Sequence, residues 1–431
     1  MEKNIELLFS RVFKSTILLW CKQKTMKILL VTQYFWPEQF IINDLVRHLD
    51  SQGHKVKVLT GKPNYPEGDI FEGYSQTGLV EEKFSDNIEI KRVPLRPRKI
   101  GKLNLLRNYC SFVWNGLRHF PKMVKGEQFD VILVFAVSPI TMAIPAIYLK
   151  TKLKTHLAIW VQDLWPESLS ATGHITNRYV LKLVGLLVKA IYYFADTLLI
   201  QSKGFYQPVS QYASKDKIVY YPNSIDQRSL VCDSAEDLPS GLAEILESNF
   251  CIIFAGNIGK AQSIETIVDA AQILKVEQHI KLIIVGSGSM LEWCQCEKEK
   301  RNLTNLILPG RFPSTMMSKF FNRAGGLLVS LKDQKIFRYT IPSKIQSYMA
   351  SGKPIIASIN GEGGRIINEA QAGLTCNAED AEGLASSIKL LYEMSDAEKE
   401  KMGGNGLKYF VDNYEMGKQA GELVKIFEQR I

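Results

Sequence analysis

Lys344 occupies a position that calls for a chemical explanation. It follows Ile341-Pro342-Ser343 and opens a helix that ends at Gly352. A helix N-terminus carries partial positive charge, so a cation in the first turn is unfavourable. An anion lying beside Ser343 and Lys344 offsets that cost; the competing reading is a lysine turned to solvent. Two glycine loops in the same half of the chain suit an anion. Ala255-Gly256-Asn257-Ile258-Gly259-Lys260 and Val285-Gly286-Ser287-Gly288-Ser289 each join a strand to a helix. Their glycines let backbone N–H groups approach a phosphate, and the helix starts attract negative charge. Lys260 adds a point charge, and Arg311, in Pro309-Gly310-Arg311-Phe312-Pro313, is a further candidate cation. Either glycine loop alone reads equally well as a tight turn, whereas two in one domain favour a bound diphosphate. The second is not a full G-x-G-x-x-G and lacks the downstream acid, so a nicotinamide dinucleotide is weakly supported.

In the first half, Asp163 lies in Trp160-Val161-Gln162-Asp163-Leu164-Trp165-Pro166-Glu167, directly after a buried strand. It suits a general base, a group that orients a sugar hydroxyl, or a cap on the next turn. Glu38, after Tyr34-Phe35-Trp36-Pro37, and Asn64 and Tyr65, in Lys62-Pro63-Asn64-Tyr65-Pro66, are the other cleft-facing candidates. Other chemistries lack support. The six histidines form no ligand-spaced pair, so no metal site is expected. No nucleophile elbow and no Walker loop occurs. Seven scattered cysteines are an odd number and point to a reducing compartment rather than a disulfide framework.

These loops need a scaffold, and the apolar runs supply one. At 431 residues, two large domains are the default. Lys27–Gln33, Lys55–Thr60, Ile88–Val93, Asp130–Ala136, His156–Val161, Thr197–Gln201 and Ile218–Tyr220 read as strands separated by helix-length spacers. A second series follows: Phe250–Ala255, Lys281–Val285, Asn305–Leu308, Gly326–Ser330 and Pro354–Ala357. The pattern is α/β, two doubly wound Rossmann-like domains facing a cleft, with ligands at the carboxyl ends of the strands. The expected division is an extension over 1–25, upstream of a start at Met26, then a first domain over 26–222. A linker over 223–249, a second domain over 250–410 and a terminal helix over 411–431 follow.

The formal net charge of +9 is concentrated. Ten of the 53 Lys and Arg residues fall in 91–126, which holds no acid, leaving 43 against 44 acidic residues elsewhere. Aromatic residues and leucines interleave with this segment. Balanced charge elsewhere and the lack of a nucleic-acid module argue against nucleic acid. The segment is expected to lie on an anionic membrane surface. No stretch reads as a transmembrane helix, and the N-terminus lacks a secretion-signal cleavage site.

The segments MKILLVTQYFWPE, GHKVKVLTGKPNYPEG, VQDLWPES, PNSID, FAGNIGKAQSIETI, VGSGSM, LPGRFP and IPSKIQSYMASGKPIIAS resemble the GT-B glycosyltransferases of family four. Within that family the chain is similar to the bacterial O-antigen and capsule subgroup known as L-fucosamine transferases. The resemblance covers 26–431. It implies a nucleotide-sugar donor on the second domain, an acceptor on the first, and no metal or other cofactor. The donor diphosphate would lie over Asn257 and Gly259, with Lys260 beside it. The nucleoside would lie near Gly286, Gly288 and Arg311, and Ser343 and Lys344 would meet the phosphates. The glutamate pair of many members falls on Tyr339 and Ser347, so it does not carry over; Glu362 is the candidate replacement at the sugar. Asp163 stands where the family has a cleft histidine.

The expectation is therefore transfer of an amino-deoxy hexose, L-FucNAc among the candidates, from a UDP-sugar to a polyprenyl-diphosphate-linked sugar. Asp163 and Lys344 would be catalytic, and the enzyme would be peripheral on the inner face of a bacterial plasma membrane. Competing readings are a UDP-sugar epimerase on the same fold and a non-catalytic membrane-surface protein of a glycan-assembly complex.

Overall fold

The computed structural model describes residues 24–99, 101–171, 177–226 and 237–431. Residues 1–23 of the expected extension and 227–236 of the expected linker lie outside the described residues.

The first domain runs β1 (Lys27–Val31), α1 (Ile41–Ser51), β2 (Lys55–Gly61), β3 (Val80–Ser85), β4 (Ile88–Val93), α2 (Lys102–Met123), β5 (Val131–Ala136) and α3 (Ala143–Leu153). It continues with β6 (His156–Val161), α4 (Glu167–Ala171), α5 (Arg178–Phe194), β7 (Thr197–Ile200), α6 (Tyr206–Ser210) and β8 (Ile218–Tyr220). Its eight strands lie in the order β3-β4-β2-β1-β5-β6-β7-β8. All pairings are parallel except that of β3 with β4. Central strands are apolar because both faces are covered: every residue of β5 is buried. The unanticipated β3 is a charged edge strand, Val-Glu-Glu-Lys-Phe-Ser, half exposed along its length. An edge strand has one solvated side and shows no apolar run to read.

The second domain runs α7 (Ser240–Ser248), β9 (Phe250–Ala255), α8 (Ile264–Ile273), β10 (Ile280–Val285), α9 (Leu291–Lys300), β11 (Leu306–Gly310), α10 (Met317–Arg323) and β12 (Gly326–Ser330). Then come α11 (Lys335–Tyr339), α12 (Ser343–Ala350), β13 (Ile355–Ser358), α13 (Glu362–Glu369), β14 (Gly373–Cys376), α14 (Ala381–Glu393), α15 (Asp396–Asn413) and α16 (Met416–Arg430). Its sheet has six parallel strands, β11-β10-β9-β12-β13-β14. The sequence reading missed the four-residue β14.

Two chain segments are placed differently from the expected boundaries. Helix α7 forms inside the expected linker, and Leu242 and Leu246, with Leu238 before it, join the core of the second domain. Helix α16 returns to the first domain, where Met416, Ala420, Leu423, Val424 and Phe427 are buried among residues of β1, β2 and α1. The chain thus crosses between domains twice, and the crossings touch. Ile225 N–H donates to Tyr414 O at 3.0 Å and Met416 N–H to Ile225 O at 3.2 Å.

Candidate functional site

Three loops of the second domain are stitched together beyond the strand ends. Gly256 N–H donates to Val285 O at 2.9 Å, Gly286 N–H to Gly310 O at 2.8 Å, and Ile258 N–H to Ser287 O at 2.9 Å. The approach is so close that a Cβ on Gly286, at φ +151°, would lie 1.9 Å from Gly256 O. A Cβ on Gly288 would lie 2.4 Å from Ile258 O. These two glycines serve loop-on-loop packing, and the Gly286 N–H is already used. Of the two, only the Gly286 N–H is thus committed among the described residues. The N–H groups of Asn257 and Gly259 have no bond among the described residues. Asn257 Nδ2 donates to Gln262 Oε1 at 3.2 Å, closing the loop beneath them.

Lys344 projects into this assembly from the first turn of α12. Its Nζ sits 3.4 Å from the centroid of the Phe254 ring, within cation–π range. The ammonium is buried and has no hydrogen-bond partner among the described residues. Its closeness to the first loop is tight: a Cβ on Gly256 would lie 2.9 Å from Nζ. Burial pushes the Lys344 pKa down to about 7. A buried cation without a counter-ion is costly and rare, so this side chain is poised to accept an anion and keep its proton. Ser343, Lys260 and Arg311 are exposed.

Glu362 behaves differently from its expected role at the sugar. It is the first residue of α13, and both carboxylate oxygens accept from Arg365, each at 3.0 Å. A Cβ on Gly204 of the first domain would lie 2.8 Å from Glu362 Cγ and 2.8 Å from Tyr339 O. Glu362 is thus a domain-contact residue neutralised by Arg365. The same contact includes Ile336 and Tyr339 of α11, which pack on the first-domain core.

On the first domain, Asp163 follows β6 with one oxygen committed. Its Oδ2 accepts from Ser138 N–H at 3.0 Å and Ser138 Oγ at 2.6 Å. Trp165 Nε1 donates to that same hydroxyl at 3.0 Å. Asp163 Oδ1 has no partner among the described residues, which leaves it for a hydroxyl donor. Tyr109 stands close by; burial raises its pKa, and the charge of Asp163 adds to the rise against the pull of Arg98. Arg98 also lies over the Tyr65 ring, 5.1 Å from its centroid. Tyr65, Arg98, Tyr109 and Asp163 therefore gather at one rim. In the sequence Arg98 and Tyr109 read only as members of the basic and aromatic segment, not as site residues.

Glu38 and Asn64 do not face the cleft, contrary to expectation. Glu38 is 2% exposed. Its Oε1 accepts from the N–H groups of Asn64 and Tyr65, both at 2.8 Å, and its Oε2 from Phe35 N–H at 3.1 Å. Burial pushes its pKa up to about 7, against those three bonds and Arg92. Asn64 is buried with Asn108, whose Nδ2 donates to Asn64 Oδ1 at 3.2 Å. Glu38 is the clamp that joins the loops after β1 and β2. Glu38→Ala should destabilise the protein by about 2–4 kcal/mol in chemical denaturation, because three buried donors lose their acceptor. Unchanged stability would show the clamp to be dispensable.

Among the described residues no group of three or more His, Cys, Asp or Glu side chains suits a metal ion. No helix among them is long and apolar enough to cross a membrane.

Comparison with known proteins adds the following. Residues 243–409 match the family model described as glycosyl transferases group 1. WcaI of Escherichia coli K12, whose name assigns it to glycosyl transfer in colanic acid biosynthesis, is 25% identical over 65% of this chain and 70% of its own length. WbjE of Pseudomonas aeruginosa, named as a glycosyltransferase, is 25% identical over 73% of this chain and 78% of its own. Among solved structures, sucrose-phosphate synthase of Thermosynechococcus elongatus superposes with a TM-score of 0.68 at 15% identity, over 94% of this chain and 99% of that one. HepE of Anabaena, in complex with UDP and glucose, gives 0.62 at 13% identity over 94% and 99%. The fold of the chain is therefore GT-B.

Proposed function

We propose that this chain, a GT-B protein whose second domain matches the group 1 glycosyl transferases, moves a sugar from a nucleoside diphosphate to an acceptor on its first domain. The observation that carries the reading is the buried, unpaired ammonium of Lys344, set at a helix start against the Gly256 loop. Departure of a nucleoside diphosphate builds negative charge on the leaving oxygens. A preorganised cation and helix start stabilise that charge in a site shielded from water. Lys260 and Arg311 lie outside this buried contact and add charge at the phosphates. Asn257 and Gly259 offer backbone N–H groups, and Ser343 a hydroxyl. Asp163 Oδ1 orients the acceptor hydroxyl or takes its proton, with Oδ2 held by Ser138.

Bound UDP in HepE supports a UDP-sugar donor, and the names of the two relatives support bacterial polysaccharide synthesis. The finer reading is an amino-deoxy hexose, L-FucNAc first, passed to a polyprenyl-diphosphate-linked sugar in O-antigen assembly. The enzyme acts without a metal at the inner face of the plasma membrane, where residues 91–126 meet anionic lipid. Residues 26–222 with the returning helix α16 form the acceptor domain, and α7 with residues 250–410 the donor domain.

The test is a panel of UDP-sugars offered to the purified full chain with undecaprenyl-diphospho-GlcNAc. One sugar should be transferred with release of UDP, and Asp163→Ala should lower kcat by roughly 10²–10⁴-fold. Isomerisation of a UDP-sugar without acceptor would replace this reading with an epimerase. Nucleotide-sugar affinity without turnover would replace it with a binding protein.

A further inference from the structure

We propose that helix α5 seats its outer face in the interfacial layer of an anionic phospholipid bilayer, while α2 and α3 beside it hold the headgroups. This extends the membrane surface proposed for residues 91–126. It rests on that part of the reading and not on the sugar chemistry.

Helices α2, α3 and α5 all cover one face of the first sheet. Helix α3 packs against α2 on one side and α5 on the other. Across Lys102–Met123, Ala143–Leu153 and Arg178–Phe194 there are nine Lys and Arg residues and not one Asp or Glu. Elsewhere the chain carries nearly equal numbers, so the outer face of the first domain is a cationic layer within a mixed surface.

Helix α5 is apolar on both sides. Gly185, Val188, Ile191 and Tyr192 face the core and are buried. On the opposite side Tyr179, Leu183, Leu186 and Tyr193 are 69%, 70%, 58% and 74% exposed. At 100° per residue these four fall within one narrow stripe. An exposed apolar stripe of this size needs a cover. Neighbouring α2 adds Leu103, Leu106 and Trp114, which are 59%, 57% and 68% exposed. A pocket of about 400 Å³ beside it is lined in part by Arg96, Arg107 and Trp114, room for a headgroup phosphate beside two basic residues.

The chemistry selects a bilayer over a protein partner. Tyrosines at both ends of the stripe suit the headgroup level, and Lys182 and Lys189 reach outward from an apolar helix, as side chains at a lipid interface do. The helix is 17 residues long with three basic groups, so it lies along the surface rather than crossing it.

The experiment is cosedimentation of the full chain with phosphatidylcholine vesicles, with and without phosphatidylglycerol, at low and high salt. Wild type should bind only the anionic vesicles and keep part of that binding at high salt. Leu183→Glu/Leu186→Glu should lose roughly tenfold or more of its partitioning and all of the salt-resistant part. Lys102→Ala/Arg107→Ala should lose the salt-sensitive part alone. Both variants should keep the wild-type melting temperature. If the leucine variant sediments like wild type, α5 is not inserted. If wild type binds neither vesicle, or forms a dimer that the leucine variant breaks, the face belongs to another partner. Turnover with a water-soluble acceptor, run in parallel, separates the two readings: it should persist in the leucine variant, and its absence in wild type would sink the transferase reading without touching α5.

Discussion

Lys344→Met should lower kcat by roughly 10²–10³-fold while making the protein more stable by about 1–2 kcal/mol. The two effects have one cause. In the free protein the ammonium is buried against Phe254 and has no counter-ion. An apolar side chain of similar length removes that desolvation cost and keeps the packing. On the proposed function it also removes the cation that would meet the leaving diphosphate. The pH dependence follows from the depressed pKa of about 7, against 10.5 for the free group. Between those values the unfolded chain holds a proton that the folded protein lacks, so this group makes stability rise with pH across the window. Donor binding runs the other way. The anion needs the protonated form, so kcat/KM for donor should fall as pH rises above about 7. In Lys344→Met both pH effects attributable to this residue should vanish. Thermal melts and initial rates across pH 6–10 test this; a variant that is equally active, or that melts lower, would refute the assignment.

Gly286→Ala should destabilise the protein by roughly 3 kcal/mol or more and abolish nucleotide binding. The added methyl would stand 1.9 Å from Gly256 O at a φ of +151°, and its nearest neighbours are backbone rather than a flexible side-chain end. Relief requires the loops after β9 and β10 to part, which breaks the Gly256 and Ile258 bonds and moves Gly256 away from Lys344 Nζ. Gly310→Ala is the control. Gly310 also has a positive φ, +89°, but a Cβ there meets nothing within 4 Å. Its cost should be only the conformational one, about 1–2 kcal/mol. Chemical denaturation with UDP calorimetry separates the two. Equal costs would show that backbone conformation, and not the loop-on-loop contact, explains Gly286.

The parallel strands were legible because each is an apolar run bounded by turn residues, and the expected bounds coincide with the observed ones at β6, β9 and β12. The edge strand β3 was not, since its alternating charges resemble a loop. Lys344 stood out in the sequence through a purely local conflict, a cation at a helix start. Its burial against Phe254 depends on two elements 90 residues apart, which no spacing rule reveals. Glu38 illustrates the opposite failure. An acid in an aromatic, proline-containing strand-end loop reads as a ligand-facing group, yet its oxygens are consumed by three backbone donors from neighbouring loops. Glu362 is likewise held by a neighbour, Arg365, one helical turn away. Asp163 sits between these cases, with one oxygen tied and one open.

The paired chain crossings near Ile225 and Tyr414 have a mechanical consequence. Ile225 forms a bridge with Glu415, and Gln346 Nε2 donates to Asn223 O at 2.7 Å beside it. Both passages between the domains are thereby gathered onto one line. A body attached to another along a single line keeps one soft degree of freedom, rotation about that axis, while sliding and twisting are resisted. A cleft that opens by rotation would turn about this bridge, with α11 against the first domain at the far edge. Groups carried on the two domains would then meet in a registry set by the pivot as much as by the site itself.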